Sequence, residues 1–331
     1  MKNTSKYLAL CITTIIFASS CKKNNDEFTP EEDPIVNQQT NTPNIQAMFN
    51  NMATPLETHT AEMSTYNTFI CSNGTSVTIY PNAFLTQSGN AVTGIVNIEV
   101  KDVLNKKDMI LNNAIPVSNG QLLVSGGEVY LNATQNGQKL KINPSSAVYL
   151  KVPIYDTPSN QMLEFYASGP SNLSNSSLNW ATSNTATTTI EVTQDSIATG
   201  PSLSYYSFQV DSLNWTNCDY FRNPGVNNTT CTVNLTGFFT NSNAAVFISM
   251  NGVNALARLH DTFTTVSQSF SSYVNSLPEG LAYTIIAISF DGTNYYYASQ
   301  TVTMTTDMVI NMPALTQTTK SQIESNLSTL P

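Results

Sequence analysis

The sequence has few charged side chains, and basic ones are the scarcest. Charged residues make up 11% of the 331 positions, with 22 acidic residues against 13 basic ones. Such a chain lacks the basic surface that attracts nucleic acids and anionic lipid headgroups. We therefore expect no nucleic-acid partner.

Residues that commonly carry catalysis or bind metals are also rare or scattered. Histidine occurs only as His59 and His260. The sequence contains no HExxH, no Cys/His cluster with ligand spacing, no Gly-rich phosphate loop and no GxSxG. We therefore predict a non-enzymatic protein with no catalytic residues, no metal site and no cofactor.

Two enzymatic alternatives stay open. His260 and Asp261 are adjacent, so one of the many serines could complete a Ser/His/Asp arrangement. Glycoside hydrolysis needs two facing carboxylates. The carboxylates that could form such a pair are Asp102, Asp108, Glu128 and Glu164. Their spacing does not specify a pair, so a glycan-acting hydrolase is the less favoured alternative.

The chain begins with the pattern of an exported protein. Two lysines precede an apolar run over residues 7–17, which is as long as a signal-peptide core and well short of the roughly 20 residues that span a bilayer. Small residues at 18–20 then lead into Cys21. This order resembles the lipobox of bacterial lipoproteins, in which the cysteine is lipidated after cleavage. The alternative is an ordinary signal peptide with an incidental cysteine.

The segment after Cys21, KKNNDEFTPEEDP, is basic and then acidic. It resembles the export signal of surface-exposed lipoproteins in the Bacteroidota, which implies an outer-membrane protein facing outward. Each buried acyl methylene contributes about 0.8 kcal/mol, so two or three chains suffice as a membrane anchor. Loss of two signal lysines leaves 11 basic against 22 acidic residues, a net charge of −11. The alternative is that the segment is only a solvated linker.

The chain divides by composition and pattern into six segments. Residues 1–20 are the signal peptide, 21–45 the lipidated cysteine and a disordered stalk, 46–155 a first β-sandwich with a lead-in, 156–230 connecting strands with a disulfide loop, 231–313 a second β-sandwich and 314–331 a C-terminal helix. The predicted fold class is therefore all-β, with two antiparallel β-sandwich domains in tandem and a short C-terminal helix.

Alternation of apolar and polar residues carries the strand prediction. It occurs in TGIVNIEVK, GEVYLNAT and AVYLKVP and indicates half-buried antiparallel strands with one wet face. Asp291 and Gly292 separate two β-favouring runs, which predicts a hairpin with a type I′ turn.

In two places the spacing of apolar residues is that of a helix and not of a strand. IQAMFNNM, near residue 46, predicts a short helix. In the tail, Ile323, Leu327 and Leu330 share one helical face, and Thr319 with Gln322 forms a candidate capping box. We expect this last helix to pack on the second sandwich.

The stretches NGTSVTIYPNAF, GIVNIEVK and LLVSGGEVYLNA together resemble a known module. It is the β-sandwich shared by ankyrins, zonula-occludens proteins and netrin receptors, and sandwiches in Bacteroidota lipoproteins are a closer likeness. The positions that carry the resemblance are Gly74, Val77, Ile79, Pro81, Ala83, Phe84, Gly126, Gly127 and residues 150–153. Tyr80 replaces a usual proline and Asn82 a usual glycine. The resemblance implies a sandwich fold and a role in binding; the His-Phe-Ser self-cleavage motif of some relatives is missing.

Three cysteines follow Cys21. Export exposes them to an oxidising compartment, so we predict a disulfide between Cys218 and Cys231. Closing a loop of about 15 residues is worth about 3 kcal/mol in the chain-entropy model. We interpret Cys71 as a small buried hydrophobe in a strand.

Five further residues are candidate binding or modification sites. Tyr295 and Tyr297 alternate on one face of a strand, where their rings could stack on sugar, and Trp215 could lie at the tip of the disulfide loop. The alternative for all three is packing inside the fold. Ser196 and Ser212 stand in Asp-Ser-aliphatic triplets, which resemble the O-glycosylation sites of Bacteroidota secreted proteins.

These features predict a lipid-anchored cell-envelope protein that is non-catalytic and has a structural, binding or adhesive role. Its expected partners are the membrane, through the lipid, and a surface glycan or an envelope protein. The main alternative is a glycan-binding accessory lipoprotein of a nutrient uptake system.

Overall fold

A computed structural model describes residues 45–173, 177–183, 190–195, 203–237, 239–261 and 269–331. Strands take up about 50% of the chain and helices about 9%, which confirms an all-β fold with a C-terminal helix. The described residues belong to one compact unit. The predicted signal peptide and all but the last residue of the stalk lie outside the described residues.

The described residues form three helices, α1 (Ile45–Met52), α2 (Lys106–Asn112) and α3 (Lys320–Ser328). The strands up to residue 221 are β1 (Glu57–Glu62), β2 (Asn67–Ile70), β3 (Ser76–Ile79), β4 (Phe84–Thr86), β5 (Ile95–Val103), β6 (Val117–Ser118), β7 (Gln121–Gln135), β8 (Gln138–Ile142), β9 (Val148–Ile154), β10 (Leu163–Ala167), β11 (Ala181–Thr182), β12 (Glu191–Asp195), β13 (Leu203–Val210) and β14 (Asn214–Phe221). The later strands are β15 (Asn228–Thr229), β16 (Cys231–Asn234), β17 (Ala244–Met250), β18 (Ala255–Arg258), β19 (His260–Asp261), β20 (Ser269–Ser271), β21 (Leu277–Pro278), β22 (Ala282–Phe290), β23 (Tyr295–Thr303), β24 (Met308–Asn311) and β25 (Thr316–Thr318). None of these helices is long and apolar enough to cross a membrane.

Four larger sheets and one two-stranded pair organise the strands. Sheet I has the order β1-β5-β7-β14-β10-β11, with β4, β6 and β8 attached beside it, and sheet II has the order β12-β13-β9-β3-β2. Sheet III is β18-β17-β22-β23-β25, and sheet IV is β19-β20-β16-β24. Pairing is antiparallel except between β16 and β24, which run parallel.

The first hydrophobic core takes alternate residues from sheets I and II. In β9, Val148, Leu150 and Val152 are buried, whereas Tyr149 and Lys151 are only partly so. The same period operates in β5 and β3. The alternation seen in the sequence is therefore confirmed for β3, β9 and the first half of β5, where one face covers the core and the other meets solvent. Lys101, predicted to lie on the wet face of β5, is buried.

Strand β7 departs from that pattern. Val129 and Leu131 lie in the first core, while Tyr130 between them lies in a second core built from sheets III and IV, the helices and the far face of sheet I. Both faces of β7 are therefore buried, and the prediction of one wet face is wrong here. Sheet I is a layer shared by the two cores.

The strands between residues 156 and 221 do more than connect. Strand β14 pairs with β7 and β10 inside sheet I, and β13 pairs with β9 and β12 inside sheet II. These strands come late in the sequence yet occupy interior positions in the sheets of the N-terminal half. Because the strands they pair with are distant along the chain, the alternation within β13 and β14 does not predict this pairing.

The Gly126-Gly127 pair forms a β-bulge. Between two paired positions, both glycines of β7 face the single residue Cys218 of β14. A β-carbon on Gly126 would lie 2.7 Å from the Tyr206 ring, and one on Gly127 would lie 2.6 Å from Val152. Glycine is required because β7 passes this close to sheet II.

Two turns show how asparagine and aspartate shape the backbone. Asn82, which replaces the glycine of the resembled module, has φ 59°, a left-handed conformation that asparagine tolerates. The predicted hairpin at Asp291 is confirmed, but the predicted type I′ turn is wrong. Phe290 pairs with Tyr295 across a four-residue loop, in which the Asp291 carboxylate accepts from the Thr293 and Asn294 amides.

The predicted helices are confirmed at both ends of the described fold. Helix α1 buries one apolar face in the second core. The Thr319 hydroxyl caps α3 by accepting from the Gln322 amide at 3.2 Å. The Gln322 side chain donates to Asn326, so the capping box is half formed. Ile323 and Leu327 join the second core.

Candidate functional site

Of the three predicted modification sites, the structure describes only Ser212. Cys21 and Ser196 lie outside the described residues. Ser212 is exposed between β13 and β14, where its hydroxyl contacts the Leu213 carbonyl oxygen at 3.3 Å. Lipidation of Cys21 and glycosylation of both serines stay predictions.

The predicted disulfide is not formed. Cys218 and Cys231 are both free and buried. Cys218 belongs to the first hydrophobic core and Cys231 to the second. The intervening chain is not an irregular loop, because Cys218 is held inside β14 and Cys231 begins β16. Cys71 is free and buried, and burial raises the pKa of its thiol.

Trp215 is a core residue and not a binding tip. Its side chain is fully buried, and its indole Nε1 donates to the Pro170 carbonyl oxygen at 2.9 Å. Its ring lies 5.5 Å from that of Tyr130 and 6.5 Å from that of Trp180. The alternative interpretation, packing inside the fold, is therefore correct for Trp215.

Tyr295 and Tyr297 do not form an exposed strip. Both are half-buried and pack against the second core. The Tyr295 ring lies 4.7 Å from the Phe290 ring across the hairpin. Burial raises the pKa of both phenols. Their main contact is with the fold itself, which removes the basis for a sugar site here.

Of the carboxylates considered for glycoside hydrolysis, Glu128 and Glu164 are not arranged as a facing pair. Glu128 lies opposite Asn217, and Glu164 lies opposite the next residue of β14, Cys218. Neighbouring residues of a strand point to opposite faces of the sheet. The two glutamates therefore lie on opposite sides of sheet I. His260, the serine-protease candidate, is exposed and packs edge-on against Tyr273.

Glu128 and Asp219 form a buried acidic pair on the second-core face of sheet I. Both side chains are fully buried, and burial raises the pKa of each well above its usual value. The Asn217 amide donates to Asp219 at 2.6 Å, whereas neither Glu128 oxygen has a hydrogen-bond partner among the described residues. Among all the residues that the structure describes, no group of three or more His, Cys, Asp or Glu side chains could hold a metal ion.

The solvent-facing side of sheet II carries several aromatic side chains. Tyr149 lies on the solvent side of β9, and the Tyr80 ring beside it is 5.5 Å away. Tyr80 in turn contacts Tyr66, 66% exposed, at 4.7 Å. On the same strand as Tyr149, the Lys151 ammonium lies 5.8 Å from the ring of Tyr205 in the neighbouring strand β13. We call these four tyrosines, at positions 66, 80, 149 and 205, the tyrosine face.

The tyrosine face continues into a groove of about 850 Å³ between the edge strands β1 and β2. Tyr66 belongs to both surfaces. Among the residues that line the groove, His59 stacks on Phe69, with ring centroids 3.9 Å apart and 12° between the planes. Its walls are largely polar, with Thr58, Thr60, Asn67, Thr68, Asn97 and Glu99. Aromatic rings thus lie next to hydroxyl, amide and carboxylate groups.

Sequence reasoning missed the tyrosine face although one signal was present. The alternation in AVYLKVP already places Tyr149 and Lys151 on the wet face of its strand. Tyr66, just before β2, and Tyr80, just after β3, bring their rings to the same surface. Only the sheet order brings these segments together, and that order is not visible in any one of them.

Comparison with protein-family models, with curated proteins and with solved structures gives no match for this chain. The resemblance to the sandwich module therefore rests on the sequence alone and stays a prediction.

Proposed function

We propose that this protein is a lipid-anchored protein of the bacterial outer membrane that faces outward and works by binding. Its proposed contact surface is the tyrosine face together with the adjoining groove, and its proposed ligand is a glycan. Support for the anchor comes from the order of the first residues, in which a short apolar run ends in small residues and Cys21.

The observation that carries the binding proposal is the mutual contact of three solvent-side tyrosines. Tyr66, Tyr80 and Tyr149 are linked by ring distances of 4.7 and 5.5 Å. A tyrosine ring offers a flat apolar surface with a polar tip, which suits ligands that are apolar on one side and polar at the edge. Pyranose rings have that character.

The groove favours a glycan over an apolar partner. A sugar chain lying across the face would meet Thr58, Thr60 and Asn97 at the groove wall. These neutral side chains can donate and accept hydrogen bonds without the desolvation cost of a buried charge. An acidic protein surface also favours neutral polysaccharides over polyanions.

Binding can be measured with the full chain carrying Cys21→Ser, which cannot be lipidated, on immobilised xylan, mannan and laminarin. We expect retention on at least one of them, and loss of retention in the double variant Tyr66→Ala, Tyr149→Ala. Tyr296→Ala is the matched control, because Tyr296 is a tyrosine of sheet III that bonds Asp291 in its own hairpin. Equal retention by the double variant, or none by the parent on any polymer, would refute glycan binding at this face.

The proposed location has a separate test. Intact native cells are treated with protease, and this protein is followed with an antibody. Rapid loss without lysis is expected for a protein that faces outward. Protection until the outer membrane is opened would place it inside, whatever the outcome of the glycan experiment.

A further inference from the structure

The solvent side of sheet II carries a second group of aromatic rings, at some distance from the three tyrosines that contact one another. Tyr205 lies on β13, directly opposite Pro153 of β9. Tyr155 follows β9 and is 68% exposed. Burial and neighbouring charged groups, the Tyr205 phenol among them, raise the pKa of Tyr155, so the two phenols are neighbours. We call Tyr155 and Tyr205 the second platform, and the tyrosines at positions 66, 80 and 149 the first platform.

The register of the strands puts both platforms on the same side of sheet II. Tyr149 and Pro153 lie four residues apart on β9, and alternate residues of a strand share a face. Tyr205 lies opposite Pro153 in an antiparallel pair, so its side chain shares that face as well. The Lys151 ammonium, two residues from Tyr149, lies 5.8 Å from the Tyr205 ring, which agrees with this placement.

The distance between the platforms calls for a ligand with several connected rings. Four residues of a strand cover about 13 Å, and the step to the neighbouring strand adds about 5 Å across the sheet. The α-carbons of Tyr149 and Tyr205 are therefore roughly 14 Å apart. Groups in contact have heavy atoms within about 4.5 Å of each other. A sugar ring stacked on Tyr149 thus leaves Tyr205 to a different sugar of the same chain.

The strip between the platforms is polar. Ser76 and Ser207 flank Lys151 in the neighbouring strands, one on each side. Both serines are partly exposed, and a hydroxyl both donates and accepts hydrogen bonds. A sugar chain that crosses from one platform to the other would meet hydrogen-bonding groups along the way.

Both rings of the second platform are held by the fold. The Tyr155 hydroxyl donates to the Asn73 carbonyl oxygen at 2.9 Å, and the Tyr205 ring packs against the Lys151 ammonium. Side chains that are already ordered lose less conformational entropy when a ligand binds. The second platform is therefore ready to add affinity.

We propose that the tyrosine face, extended by Tyr155, binds a linear polysaccharide that lies along β9, with separate sugars stacked on the two platforms. This inference rests on the glycan binding proposed above and adds the class of glycan, a linear chain of several sugars in place of a short oligosaccharide. Two linked contacts bind more tightly than either alone, because the second contact forms within an existing complex.

The dependence of affinity on chain length measures this directly. A disaccharide and a hexasaccharide, prepared from whichever polymer retains the full Cys21→Ser chain, are titrated into that chain by calorimetry. We expect the hexasaccharide to bind about 100-fold more tightly, whereas its overlapping disaccharide units alone would account for about fivefold.

The double variant Tyr155→Ala, Tyr205→Ala removes the second platform and leaves the first intact. Its disaccharide affinity should stay within about twofold of the parent, while the advantage of the hexasaccharide should fall to about fivefold. Tyr296→Ala, on sheet III, is the matched control and should keep the full advantage. Tyr155→Ala alone changes one exposed ring and should reduce the advantage several-fold, which covers the case in which the double variant does not fold.

The outcomes separate this inference from the glycan proposal. With the parent retained on a polymer, three results would overturn the inference and leave glycan binding in place: equal affinity for disaccharide and hexasaccharide, no measurable hexasaccharide binding, or an undiminished length advantage in the variants. A parent chain that no polymer retains would refute glycan binding itself, and this inference with it.

Discussion

Raising the pH should weaken the folded state through Glu128. This side chain is fully buried, neither of its oxygens has a partner among the described residues, and the Asp219 carboxyl lies close by. Burial raises the pKa of Glu128 well above its ordinary 4.5, and the charge of Asp219 adds to the shift. Burial therefore favours the protonated form of Glu128 in the folded protein, whereas the unfolded chain releases that proton more readily.

The sign and size of the effect follow from proton linkage. A raised folded-state pKa means that the stabilisation is complete below the unfolded pKa and is lost as the pH rises towards the folded one. Each such carboxyl lowers the free energy of unfolding by about 1.4 kcal/mol per pH unit in that window. A carboxyl that stays protonated in the folded protein from pH 5 to pH 7 loses about 2.5 kcal/mol of stabilisation over that range, and this is the magnitude to test for Glu128.

The test variant is Glu128→Gln, because glutamine keeps the shape of the glutamate side chain but cannot ionise. Any constant effect of the new amide is the same at both pH values and cancels in the difference. We expect the variant to gain about 2.5 kcal/mol relative to the parent on going from pH 5 to pH 7. Asp219→Asn should flatten the same pH dependence, because burial raises the pKa of Asp219 as well.

The assay is urea unfolding from pH 5 to pH 8, followed by the fluorescence of Trp180 and Trp215, both fully buried. Glu191→Gln is the control, since Glu191 is exposed on the edge strand β12. If the Glu128→Gln and parent curves run parallel over this range, Glu128 is ionised in the folded protein and the reasoning is refuted.

Three further outcomes are expected. Gly127→Ala should destabilise the fold by about 3 kcal/mol, because a β-carbon there meets a valine at 2.6 Å and φ is +142°. Gly89→Ala, with positive φ but open space, should lose only about 1 kcal/mol in the same urea titration. Thr319→Ala removes the α3 cap and should lower stability by about 1 kcal/mol; an unchanged midpoint would show that α3 is held by packing alone. Cys218 and Cys231 should react with a thiol reagent only after unfolding, and peptide mapping that finds the two joined in a disulfide would contradict the structure.

Local patterns predicted local structure well. The first half of the strand at 95–103 and most of the strand at 148–154 follow the alternation of their sequences, because one wet face leaves a period of two. The cap of α3 also depends on adjacent residues, Thr319 and Gln322. Such features need no knowledge of distant contacts.

Errors arose where a distant partner decides the outcome. The period-two pattern of β7 indicated a wet face, but the second core covers that face. The spacing of Cys218 and Cys231 allowed a disulfide, but β14 holds the first thiol in one core while the second lies in the other. Tyr295 resembled a surface aromatic until Phe290 and the second core covered it.

The sequence by itself determined the all-β class, most strand faces, the terminal helix and the scarcity of positive charge, since each depends on neighbouring residues or on totals. Tertiary structure alone decided the shared sheet, the tyrosine face and the burial of Glu128. The physical reason is that each of these joins residues far apart in the chain, as when β9 pairs with β3 and β13. Burial and ring contact are properties of the assembled sheets.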